Sequence, residues 1–150
     1  MNANEKLLKQ AEGFGALRRL LMLINALSYM VWIGAQAIVF FPEMHVSMQQ
    51  TALIQMVAGP IWLISLIAIF ATIFYLVRRS DLRRLVDDER TQNLNLRAFQ
   101  AGYLVLLLAI AGAYALCFIG KTPNPGALLP ILLSLGVAVP SLTYAALYRS

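Results

Sequence analysis

Charged residues are scarce in this sequence. Asp, Glu, Lys and Arg make up 13% of its 150 residues, whereas a soluble domain carries about 25%. Hydrophobic residues reach 60%, against about 45–50% in soluble proteins. A water-soluble domain of this composition would lack the polar surface to cover its core, and a disordered chain would contain far fewer apolar residues. The sequence therefore predicts an integral membrane protein.

The residues that most enzymes use are almost absent. The chain has one cysteine, Cys117, and one histidine, His45. These exclude an intramolecular disulfide, bis-His haem ligation and a His-rich zinc site. Glu43 is the only acid near His45, so a Ser-His-Asp relay is not available, and no GxSxG, HExxH, CxxC or P-loop pattern occurs. We predict no enzymatic activity, no cofactor and no metal site.

What the sequence does contain is four long apolar runs separated by short charged segments. A helix that rises about 1.5 Å per residue needs about 20 residues to cross a hydrocarbon core of about 30 Å. Each run is long enough for one crossing and too short for two. We predict an all-α polytopic membrane protein, a single domain over 1–150 that forms a four-helix bundle. Its transmembrane helices are predicted at 20–42, 52–77, 98–120 and 126–147.

Lys and Arg are distributed unequally between the two sides of these helices. Four precede the first helix, six lie in the 78–97 loop and one follows the last helix, whereas the two opposite loops hold only Lys121. Because basic residues concentrate in cytoplasmic loops, both termini and the 78–97 loop are predicted to be cytoplasmic. The net charge of +5 favours contact with anionic membrane lipids. Nucleic acid is not a predicted partner, since the basic residues adjoin membrane helices.

Residues 1–19 form a cytoplasmic amphipathic segment. Leu7, Leu8, Ala11, Phe14 and Leu17 recur at helical spacing between charged residues. Such a helix lies on the inner headgroup layer, or it extends the first transmembrane helix into the cytoplasm. The sequence leaves both alternatives open.

Polar side chains within the spans have two possible roles. They line a pathway, or they form hydrogen bonds between helices. The spans contain no Asp, Glu, Lys, Arg or His, although coupled transport usually needs an ionisable group in the membrane. The candidates for either role are Asn25, Gln36, Gln55, Ser134, Ser141 and Tyr144.

Two further features of the spans concern helix geometry. Gly59 and Pro60 are predicted to kink the second helix and to free a backbone carbonyl. This favours close packing, or else the broken helix of a transporter site. Small residues on the third and fourth helices permit close helix approach, so a homodimer is among the predicted partners.

The 78–97 loop carries the densest group of charges. Arg83 with Asp87, and Arg84 with Asp88, are spaced for i,i+4 ion pairs. Acids just before the third helix also interact favourably with its dipole, which accounts for the cluster without a metal. The candidate residues for contact with a partner are Arg83, Arg84, Asp87, Asp88, Glu89 and Arg90.

The last part of this cluster reads Asp-Glu-Arg-Thr at 88–91. Together with the four hydrophobic segments, it resembles a group of small uncharacterised bacterial inner-membrane proteins with a similar acidic-Arg-Thr motif after the second segment. The resemblance implies a bacterial inner-membrane location. It carries no activity, substrate or catalytic residue.

These observations leave three functions. The first is an accessory, regulatory or partner-binding protein that acts on an unidentified membrane or cytoplasmic protein through its cytoplasmic loop. The second is a small homo-oligomeric channel or transporter lined by polar residues of helices one, two and four. The third is a protein that binds a lipid or pigment-like apolar molecule between its helices, where aromatic residues would flank it.

Overall fold

The computed structural model describes residues 3–39, 47–87, 89–120 and 124–148. Within these ranges the regular structure is entirely α-helical, which confirms the all-α part of the prediction. The helices are α1 (Ala3–Ile38), α2 (Met48–Arg78), α3 (Ser80–Val86), α4 (Glu89–Phe118) and α5 (Pro125–Leu147).

Helices α1, α2, α4 and α5 are long and apolar enough to cross a membrane. They coincide with the four predicted spans, but α4 begins at Glu89 rather than at 98. The extra turns, residues 89–97, are mostly polar and include two Leu, two Arg, one Glu and one Gln, which are good helix formers. Hydropathy marks where a helix becomes apolar, whereas the helix itself begins at the end of the charged loop.

Helix α1 is continuous over 36 residues, a length of about 54 Å. Of the two alternatives for the N-terminal segment, the structure has the helical extension of the first span. Part of the apolar face of this extension is buried, because Ala11 lies in one cluster with the α3 residues Leu82 and Val86. Leu8 and Leu17 of the same pattern are exposed, so a contact within the protein accounts for only part of the amphipathic pattern.

The starts of two long helices are fixed by side-chain caps. Ser47 Oγ accepts a hydrogen bond from the Gln50 amide at 3.2 Å, and Gln50 Oε1 accepts one from the Ser47 amide at 3.4 Å. This capping box satisfies two backbone donors at the start of α2. At α5, Asn124 Oδ1 accepts from the Gly126 amide, and Pro125 occupies the first helical turn, where its missing N–H costs nothing.

The four long helices pack in the order α2, α1, α5, α4. Extensive contacts join α1 to α2, α1 to α5 and α4 to α5. Among the described residues α2 and α4 make no comparable contact, so the bundle is open and these two helices are its edges. Small buried residues of α1, such as Ala26 and Ala35, let its neighbours approach closely.

The contact between α4 and α5 is closest at Gly102. This glycine is buried, and a β-carbon at its position would overlap the ring of Pro140. By contrast, a β-carbon at Gly112 on the same helix would meet no atom within 4 Å. Gly102 is therefore required by packing, whereas Gly112 is not.

We expect Gly102→Ala to lower the free energy of unfolding by about 1–3 kcal/mol, because the added methyl group forces α4 and α5 apart. The measurement is reversible unfolding in detergent micelles, followed by circular dichroism. Gly112→Ala is the matched control, since both substitutions bring the same gain in helix propensity. Equal stability of the two variants would contradict the close contact.

Candidate functional site

Arg18 is the centre of the charged end of the molecule. Its Nη1 donates a hydrogen bond to Asp87 Oδ1 at 3.1 Å, just after the end of α3. The same guanidinium lies 5.4 Å from the centroid of the Tyr144 ring on α5, within the range of a cation–π contact. Side-chain exposure is 19% for Arg18 and 35% for Asp87. Arg18 thus joins α1, α3 and α5.

The predicted i,i+4 pair between Arg83 and Asp87 is present, with Nε 3.9 Å from Oδ2. Asp87 therefore faces two arginines, the one at Arg18 being closer. Asp88 and the side chain of Arg84 lie outside the described residues, and so does the second predicted pair, which these two residues would form.

Helix α3 turns the predicted loop into a folded element. Leu82 is 1% exposed and, with Val86, faces α1 and the end of α2. Two buried residues from these helices, Leu76 and Ala11, complete the apolar cluster. A segment whose charges predicted a partner surface is therefore anchored by its apolar residues.

Helix α3 and the first turn of α4 carry exposed side chains. Arg83, Leu85, Glu89 and Arg90 are all exposed, and we call these four residues the α3–α4 surface. Glu89 lies in the first turn of α4, where a negative charge interacts favourably with the helix dipole. Thr91, the last residue of the Asp-Glu-Arg-Thr sequence, is instead buried.

Arginines at the end of α2 lie over aromatic rings. The Arg78 guanidinium is 4.4 Å from the centroid of Phe74, and that of Arg79 is 5.5 Å from the centroid of Tyr75. Tyr75 also stacks on Phe14 of the α1 extension, with centroids 5.4 Å apart. The Phe14–Tyr75 stack therefore joins the charged end of α2 to α1.

Two cavities open at this end of the molecule. The first has a volume of about 200 Å³ between α1, α2 and the end of α3, with Arg18, Arg83 and Asp87 among its lining residues. The second, of about 290 Å³, lies between the α1 extension, α3, α4 and α5 and includes Arg90 and Thr91. The sequence predicted the charges at this end but neither cavity.

The structure does not bring the polar candidates in the spans into one group. Asn25 Nδ2 donates to Ser65 Oγ at 3.1 Å, joining α1 to α2 in the buried interior. Ser141 Oγ donates to the Val137 carbonyl of its own helix, and Ser134 lines a small cavity between α1 and α5.

The other polar candidates have separate surroundings. Gln36 on α1 and Gln55 on α2 are half-buried, and Tyr144 is buried beneath Arg18. Asn25 therefore forms a hydrogen bond between helices, which is one of the two roles that the sequence left open. Its partner, Ser65, was not among the residues predicted from the sequence.

The predicted kink position lies beneath an aromatic cluster. Helix α2 runs without interruption through Gly59 and Pro60, and a β-carbon at Gly59 would lie 3.4 Å from Trp32 Nε1. Trp32 stacks on Trp62 with centroids 5.1 Å apart. The Trp32–Trp62 stack thus joins α1 to α2 next to Gly59.

No group of three His, Cys, Asp or Glu side chains that could hold a metal occurs within the described ranges. Asp87 forms ion pairs with Arg18 and Arg83. The chemistry at this end is that of guanidinium groups, exposed in part and bordered by apolar side chains.

Compared with known proteins, the chain matches no family model, no curated protein and no solved structure. The resemblance to small bacterial inner-membrane proteins stays a prediction. The geometry of the charged end is therefore the main evidence on function.

We expect a double-mutant cycle on Arg18 and Asp87 to give a coupling energy of about 1 kcal/mol, because the pair is hydrogen-bonded and only partly exposed. The variants are Arg18→Ala, Asp87→Ala and the double variant, each unfolded in detergent micelles. The same cycle on Arg18 with exposed Glu89 is the control and should give a coupling near zero. Equal couplings would contradict a specific contact.

Proposed function

We propose that this chain is an accessory or regulatory protein of the bacterial inner membrane, which binds a partner protein through the α3–α4 surface. The four long helices anchor it in the membrane, with both termini and α3 in the cytoplasm. The observation that carries the proposal is the docking of α3 on α1 through Leu82 and Val86. This packing orders the surface before any partner binds, which lowers the entropic cost of association.

The distribution of chemical groups supports a role at this surface. The predicted spans contain no Asp, Glu, Lys, Arg or His for coupled transport or catalysis. On the α3–α4 surface, by contrast, two arginines, one acid and a leucine are exposed. Exposed charges of both signs suit a protein partner of complementary charge.

A homo-oligomeric channel would place the same polar residues along a shared pore. The described contacts favour this less, because Asn25 is already bonded to Ser65 and Ser141 to its own helix. Such a channel predicts ion flux from purified protein in liposomes that is lost in Gln36→Leu and Gln55→Leu. The partner-binding function predicts no flux.

The orientation is tested with single cysteines in a Cys117→Ala background. Gln49→Cys and Asn93→Cys place thiols at exposed positions near opposite ends of the spans. We expect a membrane-impermeant maleimide to label Gln49→Cys in intact spheroplasts and Asn93→Cys only after permeabilisation, because basic loops stay cytoplasmic. The reverse pattern would contradict the orientation.

Partner binding is tested with a photo-crosslinking amino acid at Leu85 in living cells. We expect a defined protein adduct that falls at least fivefold in the Glu89→Gln, Arg90→Gln double variant, since loss of about 1 kcal/mol of binding is a fivefold change in affinity. Adducts are quantified by mass spectrometry. The matched control is Glu5→Gln with Lys6→Gln, which also removes one charge of each sign at exposed residues that line neither cavity.

An adduct that survives loss of Glu89 and Arg90, or the absence of any protein adduct at Leu85, would refute the proposed surface. An adduct with a second copy of this chain would instead favour the homo-oligomer.

A further inference from the structure

The lining of the first cavity is charged at one end and largely apolar elsewhere. At one end lie the guanidinium groups of Arg18 and Arg83 with the Asp87 carboxylate. The rest of the wall is formed largely by apolar side chains of α1 and α2, among them Met22, Ile69 and Ile73. A molecule that is complementary to this lining has a charged group at one end and an apolar chain next to it.

The cavity lies at the level where the apolar part of the helices begins. Arg18 lies two residues before the first predicted span, and Ile69 and Ile73 belong to the last turns of the second. Arginines at such a boundary lie among lipid headgroups, while the apolar wall lies at the depth of the first acyl carbons. The position of the cavity therefore matches a phospholipid of the leaflet on the α3 side.

The charge of the lining favours an anionic headgroup. Two arginines and one aspartate leave an excess of positive charge, and Arg78 and Arg79 lie at the nearby end of α2. Arg18 is held by Asp87 at 3.1 Å, but Arg83 lies 3.9 Å from the carboxylate and is 57% exposed. An exposed guanidinium offers several N–H donors in a plane, which suits a phosphate.

The size of the cavity limits what part of the lipid enters. Its volume of about 200 Å³ is below the about 300–1,000 Å³ of pockets that enclose a drug-sized ligand. It accommodates the glycerol end and the first carbons of one chain. The remaining chain length would follow the exposed apolar face of α2, where Ile73 and Phe70 are exposed.

We propose that this cavity is a binding site for an anionic phospholipid, with the phosphate at Arg83 and Arg18 and one acyl chain between Met22, Ile69 and Ile73. The site goes beyond the proposed function, because its occupant is a lipid rather than a protein. It shares Arg83 with the α3–α4 surface, whereas Leu85, Glu89 and Arg90 do not line it.

The headgroup contact is tested by native mass spectrometry of delipidated protein, titrated with phosphatidylglycerol or with phosphatidylcholine of the same chains. We expect tighter binding of phosphatidylglycerol and an about fivefold loss in Arg83→Gln, since a basic residue near the membrane surface contributes about 1 kcal/mol. Arg97→Gln is the matched control, because Arg97 is exposed on α4 and does not line the cavity.

The apolar wall is tested by filling it. Ile69→Trp places a large ring in the cavity without changing any charge, and it should lower phosphatidylglycerol binding at least as much as Arg83→Gln. Ile67→Trp is the control, because Ile67 is exposed on the same helix outside the cavity.

Three results would overturn the site. These are equal affinity for the two lipids, equal losses in Arg83→Gln and Arg97→Gln, and unchanged phosphatidylglycerol binding in Ile69→Trp. Equal losses at the two arginines would show a general attraction of charge to the membrane. Loss of photo-crosslinks at Leu85 would leave the lipid site unaffected, so the two proposals fail separately.

Discussion

The hydrogen bond from Arg18 to Asp87 determines how the charged end of the molecule is built. A guanidinium at the start of an apolar span needs partners, because leaving it unpaired beside hydrocarbon is costly. Asp87 and the Tyr144 ring supply them from α3 and α5. The bond fixes the end of α3 against α1, while Leu82 and Val86 bury its apolar side. The α3–α4 surface and the two cavities at this end of the molecule depend on this arrangement.

Packing in the rest of the molecule depends on α1. It contacts α2, α3 and α5, and its buried alanines permit those contacts. On the α2 side the interface combines one buried polar bond, Asn25 to Ser65, with the stacked pair Trp32 and Trp62. Such a bond contributes about 0.6 kcal/mol on average in a membrane, so close packing holds these helices together.

The sequence was sufficient for features that depend on local pattern. Hydropathy predicted the four long helices, and i,i+4 spacing predicted the Arg83–Asp87 pair. It was insufficient where polar segments are helical, as in the extension of α1 and the early start of α4, because hydropathy does not distinguish a polar helix from a loop. Arg18 and Asp87 are 69 positions apart, and no periodicity reveals a contact that only the folding of α3 onto α1 creates.

The order α2, α1, α5, α4 also has a consequence for biogenesis. The molecule consists of two consecutive hairpins, α1 with α2 and α4 with α5, which meet along one seam between α1 and α5. During synthesis the first hairpin is complete before the second emerges, since membrane helices are made from the N-terminus. The contact between the two hairpins can therefore form only after α5 has been synthesised.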